Sequence, residues 1–263
     1  MAWGPELDIL SETIRTAGAE AVRLATDGFE THTKPDRSPV TSADLAVNQI
    51  LRSYLLARFP ADGWLSEESP DDAARLQKTR VWVVDPIDGT KAFIQGEPEF
   101  CISVALVQER RPVVAAIFNP STNELFSATR GGGLHLNHEP VSPSEHLKDH
   151  PPVLAVSPWE QHLGRFKSLD EQVASRPMRS IAWALALAAS GRIHAVATFE
   201  VENEWDVAAG TLLVEEAGGS MHDGEGQDLS FNRPEPRYRG IIATHASCPD
   251  RVTRQLRSLA RLW

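Results

Sequence analysis

The residues best placed to do chemistry lie in Asp85-Pro86-Ile87-Asp88-Gly89-Thr90. Two carboxylates stand three positions apart, directly after the apolar run Val81-Trp82-Val83-Val84, which reads as a strand. Pro86 fixes one backbone dihedral and Gly89 permits a tight turn, so both acids can be aimed at one point. If a helix follows, the N–H groups of Gly89 and Thr90 lie at its N-terminus, where a phosphate oxygen binds well. The same residues would also make an ordinary turn with an Asp capping a helix. Glu67-Glu68 precedes Asp85 by 18 and 17 positions and taken alone reads as a solvated loop. Asp206 opens a helical segment, where its charge would favour the helix dipole. Asp44 could be only the acid of a Thr41-Ser42-Ala43-Asp44 capping box. Together these local readings weigh less. Hard divalent cations need several oxygen ligands converging on one place, and carboxylates that close raise one another's pKa without a cation.

Those acids must be positioned by the elements around them. Residues 6–28 put Leu7, Leu10, Ile14, Ala17, Ala21, Leu24 and Ala25 on one helical face, stopped by Gly28. Thr31 to Pro39 is polar, holds two prolines and reads as a loop. The capping box opens a second helix through Leu45, Asn48, Leu51, Leu55 and Phe59. The strand at 81–84 is expected to end at Asp85-Pro86, since proline cannot continue a central strand. Runs at 100–107, 112–119 and 124–129, separated by short turns, predict an antiparallel meander. From about 140 to 152 the chain is polar, with prolines at 140, 143, 151 and 152, and marks a boundary between a lobe of 1–150 and one of 151–263. The second lobe reads as a strand at 153–157, helices at 159–174 and 181–190, a strand at 193–199 and a helix at 205–217 stopped by Gly218-Gly219. A strand at 239–244 and a basic helix at 249–262 complete an α/β pattern.

Of the 263 residues, 41% are hydrophobic and 24% charged, in the range of globular chains. The formal net charge of -10 argues against nucleic-acid and anionic-membrane partners. Arg251, Arg254, Arg257 and Arg261 could line one helix face, which reads as solvated or paired with acids. An anionic substrate would be repelled too, unless bound divalent cations invert the local charge. Two distant cysteines, Cys101 and Cys248, make no disulfide framework. The start MAWGPELDIL shows no signal-peptide pattern, and no apolar run approaches the ~20 residues that span a bilayer. A cytoplasmic location is expected.

The motifs SPVTSAD at 38–44, LSEES at 65–69, WVVDPIDGTKAFI at 82–94 and EWDVAAGTLLVEEAGG at 204–219 resemble the inositol monophosphatase superfamily of lithium-sensitive, magnesium-dependent phosphatases. Their order and spacing match over nearly the whole chain. The resemblance implies a five-layer αβαβα sandwich: helices over a largely antiparallel N-terminal sheet, a smaller C-terminal α/β lobe, and the active site between them. It implies two or three Mg²⁺ per site. Glu67, Asp85 and the carbonyl of Ile87 would hold one, and Asp85, Asp88 and Asp206 a second. Thr90, hydrogen-bonded to Asp44, would orient the attacking water, and Glu67 would help to position it. Asp88 and Asp206, with the N–H groups of Gly89 and Thr90, would contact the substrate. Water activated at one metal would attack phosphorus without a phosphoenzyme. Many relatives form dimers, although no interface is legible in the sequence.

The substrate is less legible. Within the superfamily, a polyol phosphate such as inositol monophosphate competes with 3'-phosphoadenosine 5'-phosphate; histidinol phosphate and fructose 1,6-bisphosphate follow. DGTKAF and Glu204-Trp205-Asp206 lean towards the nucleotide group, but Ala92 stands where that group commonly has Glu. Glu200, Glu202 and Asn203 precede Trp205 and could accept sugar or inositol hydroxyls, or be solvated loop residues. The polyol phosphate is the preferred reading. A non-enzymatic metal-binding module is the principal reading from another class.

Overall fold

The computed structural model describes residues 3–141, 147, 151–169 and 173–262. Its first layer is a pair of helices, α1 (Gly4–Asp27) and α2 (Ser42–Arg58). A short hairpin, β1 (Thr31–Thr33) and β2 (Pro39–Thr41), connects them where a plain loop was expected. The buried face of α1 runs through Leu10, Ile14, Ala17 and Ala21, while Ala25 is exposed. On α2 the inward residues are Ala43, Val47, Asn48, Leu51 and Leu55; Leu45 faces out.

Beneath the helices lies a seven-stranded sheet in the order β3 (Gly63–Ser66), β4 (Arg80–Asp88), β5 (Cys101–Gln108), β6 (Arg111–Asn119), β7 (Glu124–Thr129), β8 (Gly133–Leu136) and β9 (Glu139–Pro140). Only β3 and β4 pair in parallel; the rest is the expected meander. Helices cover both faces, so β4 is apolar on both sides. Trp82 and Val84 pack with α1 and α2, while Val81 and Val83 join the core beneath.

The chain continues through β10 (Val153–Val156), α4 (Pro158–Leu163), β11 (Ala174–Pro177), α5 (Ile181–Ala189), β12 (Ala195–Asn203), α6 (Glu204–Glu216), β13 (Ser220–Asp223), β14 (Arg237–Thr244) and α7 (Asp250–Ala260). A second sheet has the order β11-β10-β12-β14-β13. Helices α5 and α6 are sandwiched between the two sheets, and α7 packs on the outer face of the second. The architecture is therefore αβαβα, as expected. The middle core takes residues from both sequence halves, including Val83, Phe126, Leu185, Leu212 and Ile241. Of the boundary at 140–152, residues 142–146 and 148–150 lie outside the described residues.

Further local expectations change. The helix placed at 159–174 ends at Leu163, because Gly164 adopts φ 68° and closes it with a left-handed cap. Residues 170–172 of that span lie outside the described residues, and Ala174–Pro177 forms an edge strand. Strand β13 was not anticipated. Most consequentially, β4 does not stop before Pro86. It runs to Asp88 through a bulge: the three steps from Asp85 to Asp88 face only two, from Ser103 to Cys101, on β5. The missing proline N–H falls where the ladder is already broken.

The two middle helices cross closely at Gly210, where a Cβ would sit 2.6 Å from the Cβ of Leu185. Replacing a helical glycine by alanine ordinarily stabilises by about 1 kcal/mol. Here Gly210→Ala should instead lower the melting temperature; a rise in thermal denaturation would contradict the crossing.

Candidate active site

The acids of the site are placed by a few local devices. In the β4 bulge, the Ile87 N–H donates to Asp85 Oδ1 at 3.0 Å, which pins that carboxylate beneath its own turn. Asp88, at the end of the bulge, reaches across to the second half of the chain. Its Oδ2 accepts from the Ser180 hydroxyl and the Ala182 N–H, both at 2.6 Å, at the start of α5. Gly89 follows in the left-handed region at φ 94°, and a Cβ there would lie 2.8 Å from the Glu99 carbonyl oxygen. Thr90 then begins α3 (Thr90–Gln95), with its hydroxyl 3.2 Å from Asp44 Oδ1 and 3.1 Å from the Ile87 carbonyl.

Asp44 and Asp206 are positioned by the same trick. Asp44 is the third residue of α2, and its Oδ2 accepts from the Thr41 N–H at 2.8 Å and the Thr41 hydroxyl at 2.6 Å. Asp206 is the third residue of α6, and its Oδ2 accepts from the Asn203 N–H at 2.6 Å. In each case one carboxylate oxygen caps a helix and the other remains for the site. Glu67 follows β3, where its Oε1 accepts from Lys34 Nζ at 2.7 Å; the same ammonium contacts Glu68. Lys34 sits in the β1–β2 hairpin and no local signal marked it.

Electrostatics show that these acids share one place. Burial raises the Asp85 carboxyl well above the usual range, and the negative charges of Glu67, Asp88, Asp206 and Asp44 raise it further. Burial lifts Asp88 to about 7 against the hydrogen bonds from Ser180 and Ala182. Asp206 is raised well above its ordinary value by burial, then by Glu202, Asp88 and Glu67. Asp44 is raised by burial despite its Thr41 and Thr90 hydrogen bonds. The structure thus brings together Glu67, Asp85, Asp88 and Asp206, with Asp44 and Thr90 alongside.

Beside Asp88 and Asp206 opens a cleft of about 220 Å³, whose other polar lining includes Ser157, Ser180, Thr198, Glu202 and Asn203. Glu200, anticipated as a substrate contact, does not line it. Its carboxylate is drawn 2.6 Å from Arg165 Nη1 instead. Glu202 takes the cleft position, with its carboxyl lifted by burial and by Asp88 to about 8.

A buried clamp joins the Glu67 loop to the Asp206 helix. Glu204 is 0% exposed, and its two oxygens accept from the Asn232 and Arg233 N–H groups at 2.7 and 2.8 Å. From the other side Arg75, 2% exposed, donates to Asn232 Oδ1 at 2.6 Å and the Arg233 carbonyl at 2.9 Å, and is held bidentately by Asp71. Ser180 and this clamp were missed by sequence reasoning, which singled out Glu204 only as part of the Glu204-Trp205-Asp206 motif and not for its buried role; the helix-capping position of Ser180 was a readable signal.

Among the described residues, no three acid, imidazole or thiol groups are drawn together as a finished ligand cage. Glu67, Asp85, Asp88 and Asp206 each have one oxygen turned to a hydrogen-bond donor. The donor chemistry nevertheless fits a hard cation, because the remaining oxygens belong to buried carboxylates that repel one another. Among the described residues it is Lys34 that brings a positive charge to them, and it is engaged with Glu67 and Glu68.

The fold and the acid cluster define a class of hydrolase that handles anionic esters with the help of cations. Comparison gives the family. A profile described as "Inositol monophosphatase family" matches residues 6–260. Inositol monophosphatase 3 of Solanum lycopersicum is 31% identical over 95% of this chain and 96% of its own length. The 3'(2'),5'-bisphosphate nucleotidase CysQ of Escherichia coli K12 is also 31% identical, over 87% of this chain and 95% of its own. Among solved structures, the extragenic suppressor protein suhB of Bartonella henselae superposes with a TM-score of 0.82 at 27% identity, covering 98% of this chain and 99% of that one. The chain belongs to the inositol monophosphatase family. It is a phosphoric monoester hydrolase of a metal-dependent kind.

Raised carboxyl pKa values carry a sign for stability. Between the ordinary value of 3.8 and about 7, native Asp88 holds a proton that the unfolded chain has released, so metal-free stability falls as pH rises through that window. In EDTA the melting temperature should drop from pH 5 to pH 8, and a divalent cation should restore most of the loss. A pH-independent, cation-independent melting temperature would contradict the crowding. Gly89→Ala should cost at least about 1–3 kcal/mol of stability or shift Asp88 and Thr90, lowering activity; wild-type stability and turnover together would contradict the geometry.

Proposed function

We propose that this enzyme is a Mg²⁺-dependent phosphatase acting on the monophosphate of a single-ring polyol, with inositol monophosphate the leading candidate. The observation that carries the substrate reading is the cleft beside Asp88 and Asp206. At about 220 Å³ it lies below the ~300–1,000 Å³ of pockets that enclose drug-sized ligands. It suits one ring better than an adenosine with two phosphates. Relatives named as CysQ nucleotidases, at the same identity as the tomato inositol monophosphatase, keep 3'-phosphoadenosine 5'-phosphate as the second reading.

In this proposal Glu67, Asp85, the Ile87 carbonyl, Asp88 and Asp206 hold two or three Mg²⁺. When bound, these ions offset charge on the attacking and departing oxygens. The chain's own residues do the rest. The Thr90 hydroxyl donates to Asp44, which leaves its lone pairs to receive and orient the attacking water. Glu67 helps to place that water. The first-turn N–H groups of Gly89 and Thr90 face the phosphate, with Asp88 and Asp206 beside the ester oxygen. The division of labour proposed for the two halves follows: residues 1–150 supply the phosphate side and 151–263 the leaving-group side. Among the described residues no helix is long and apolar enough to cross a membrane. With both cysteines free, we place the enzyme in the cytoplasm.

The direct test is phosphate release from inositol 1-phosphate and 3'-phosphoadenosine 5'-phosphate side by side, with Mg²⁺. A higher kcat/KM for inositol 1-phosphate is expected; the reverse order would select the nucleotide reading. Asp88→Asn keeps an acceptor for Ser180 and Ala182 and should therefore fold normally while losing at least about 100-fold in kcat. Near-normal turnover in that variant would remove Asp88 from the machinery. Millimolar lithium at limiting Mg²⁺ should inhibit.

A further inference from the structure

The strand that delivers Asp206 carries a second irregularity. In β12 the three steps from Thr198 to Val201 face only the two from Ile241 to Arg239 on β14. Gly240, opposite, adopts φ 72°, and a Cβ there would come within 3.1 Å of the Thr198 carbonyl oxygen. Successive strand residues point to opposite faces, so with Thr198 in the cleft an unbroken strand would turn Glu200 into it and Val201 away. The bulge reverses this. Glu200 leaves for Arg165, at 2.6 Å, and Val201 lines the cleft with Glu202 and Asn203.

A bulge takes backbone N–H groups out of the ladder, and those away from water need other acceptors. Here side chains supply them. The Glu200 N–H donates to the Thr198 hydroxyl at 3.2 Å, and the Phe199 N–H to Glu160 Oε1 at 2.7 Å. Glu160 is fully buried and is the third residue of α4, the position that Asp44 and Asp206 hold on their own helices. Those two turn back to the N–H of their cap residue, whereas Glu160 turns to the neighbouring strand. Its Oε2 accepts from the Ser157 hydroxyl at 3.0 Å, and Ser157 lines the same cleft. Arg165 joins Glu160, at 3.2 Å, to Glu200. Glu160 itself does not line the cleft.

We propose that Glu160 is a positioning residue: through the Phe199 N–H it holds the bulge of β12 and so sets the wall at 201–203 against which the leaving group binds. This rests on the reading above of the cleft as the leaving-group side, and it holds for a polyol or a nucleotide. The phosphate side does not depend on it, because the start of α6 is anchored separately by Glu204 on the Asn232 and Arg233 N–H groups.

The test is KM and kcat of the Mg²⁺-loaded enzyme on two esters. One is whichever of inositol 1-phosphate and 3'-phosphoadenosine 5'-phosphate the wild type prefers; the other is methyl phosphate, whose leaving group is too small to fill the cleft. Glu160→Asp keeps the charge but falls one methylene short of the Phe199 N–H. It should raise KM for the preferred ester at least about fivefold with kcat within about twofold, the pattern of lost uniform binding, and leave methyl phosphate unchanged. Glu160→Gln keeps a carbonyl acceptor at full reach and should stay within about twofold of wild type on both esters. Inhibition by inorganic phosphate, which reads the phosphate side, should be the same in all three proteins. Glu160→Asp with a wild-type KM, an equal loss on both esters, or Glu160→Gln no better than Glu160→Asp would overturn this inference alone. A wild type with the same KM for both esters would overturn the cleft reading itself.

Discussion

The rest of the structure is organised around one electrostatic conflict: carboxylates from distant parts of the chain are buried in each other's fields. Asp85 is 1% exposed and feels Glu67, Asp88, Asp206 and Asp44. Buried charges without partners are costly, and proteins tolerate them where a cation or a proton resolves the conflict. Here the chain resolves half of it. One oxygen of Asp85, Asp88 and Asp206 accepts an N–H bond that orients the carboxylate, and the other is left in the repulsive region, whereas Asp44 engages both of its oxygens, with Thr41 and Thr90. That arrangement favours whatever brings positive charge, which is how an enzyme of net charge -10 handles an anionic ester.

Holding that conflict in place requires both halves of the chain. Bulges in β4 and β12 turn two otherwise regular strands so that Asp88 and Glu202 point at the same opening. Asp88 caps the entrance to α5, which couples the first sheet to the middle helices. The Arg75–Asn232–Glu204 clamp ties the Glu67 loop to the start of α6 from behind. These contacts make the spacing of the acids a property of the packed middle layer, in which helices α5 and α6 are buried between sheets.

Much of this was legible in the sequence for identifiable reasons. The Asp85–Thr90 run announces its turn through Pro86 and Gly89, and the Thr41–Asp44 capping box forms as its spacing predicts. What escaped depended on tertiary context. A proline reads as a strand end unless the partner strand reveals a bulge. Glu200 and Glu202 are indistinguishable until β14 sets the register. Lys34 and Arg75 act on groups 33 and 157 positions away, which no local pattern encodes. Strand β11 is exposed along its whole length and so lacks the apolar run that marks a buried strand.

The measurement that bears most directly on this account is calorimetric titration of Mg²⁺ or Mn²⁺ into the metal-free enzyme near pH 7, repeated in two buffers of different ionisation enthalpy. Cations entering a cluster of partly protonated carboxylates must displace protons. The account predicts saturable binding of at least two ions per chain, with proton release that grows as the pH is lowered towards 6 and is diminished in Asp88→Asn. Binding without proton release, or no saturable binding, would contradict the claim that a buried, mutually repelling set of acids is what the cations satisfy.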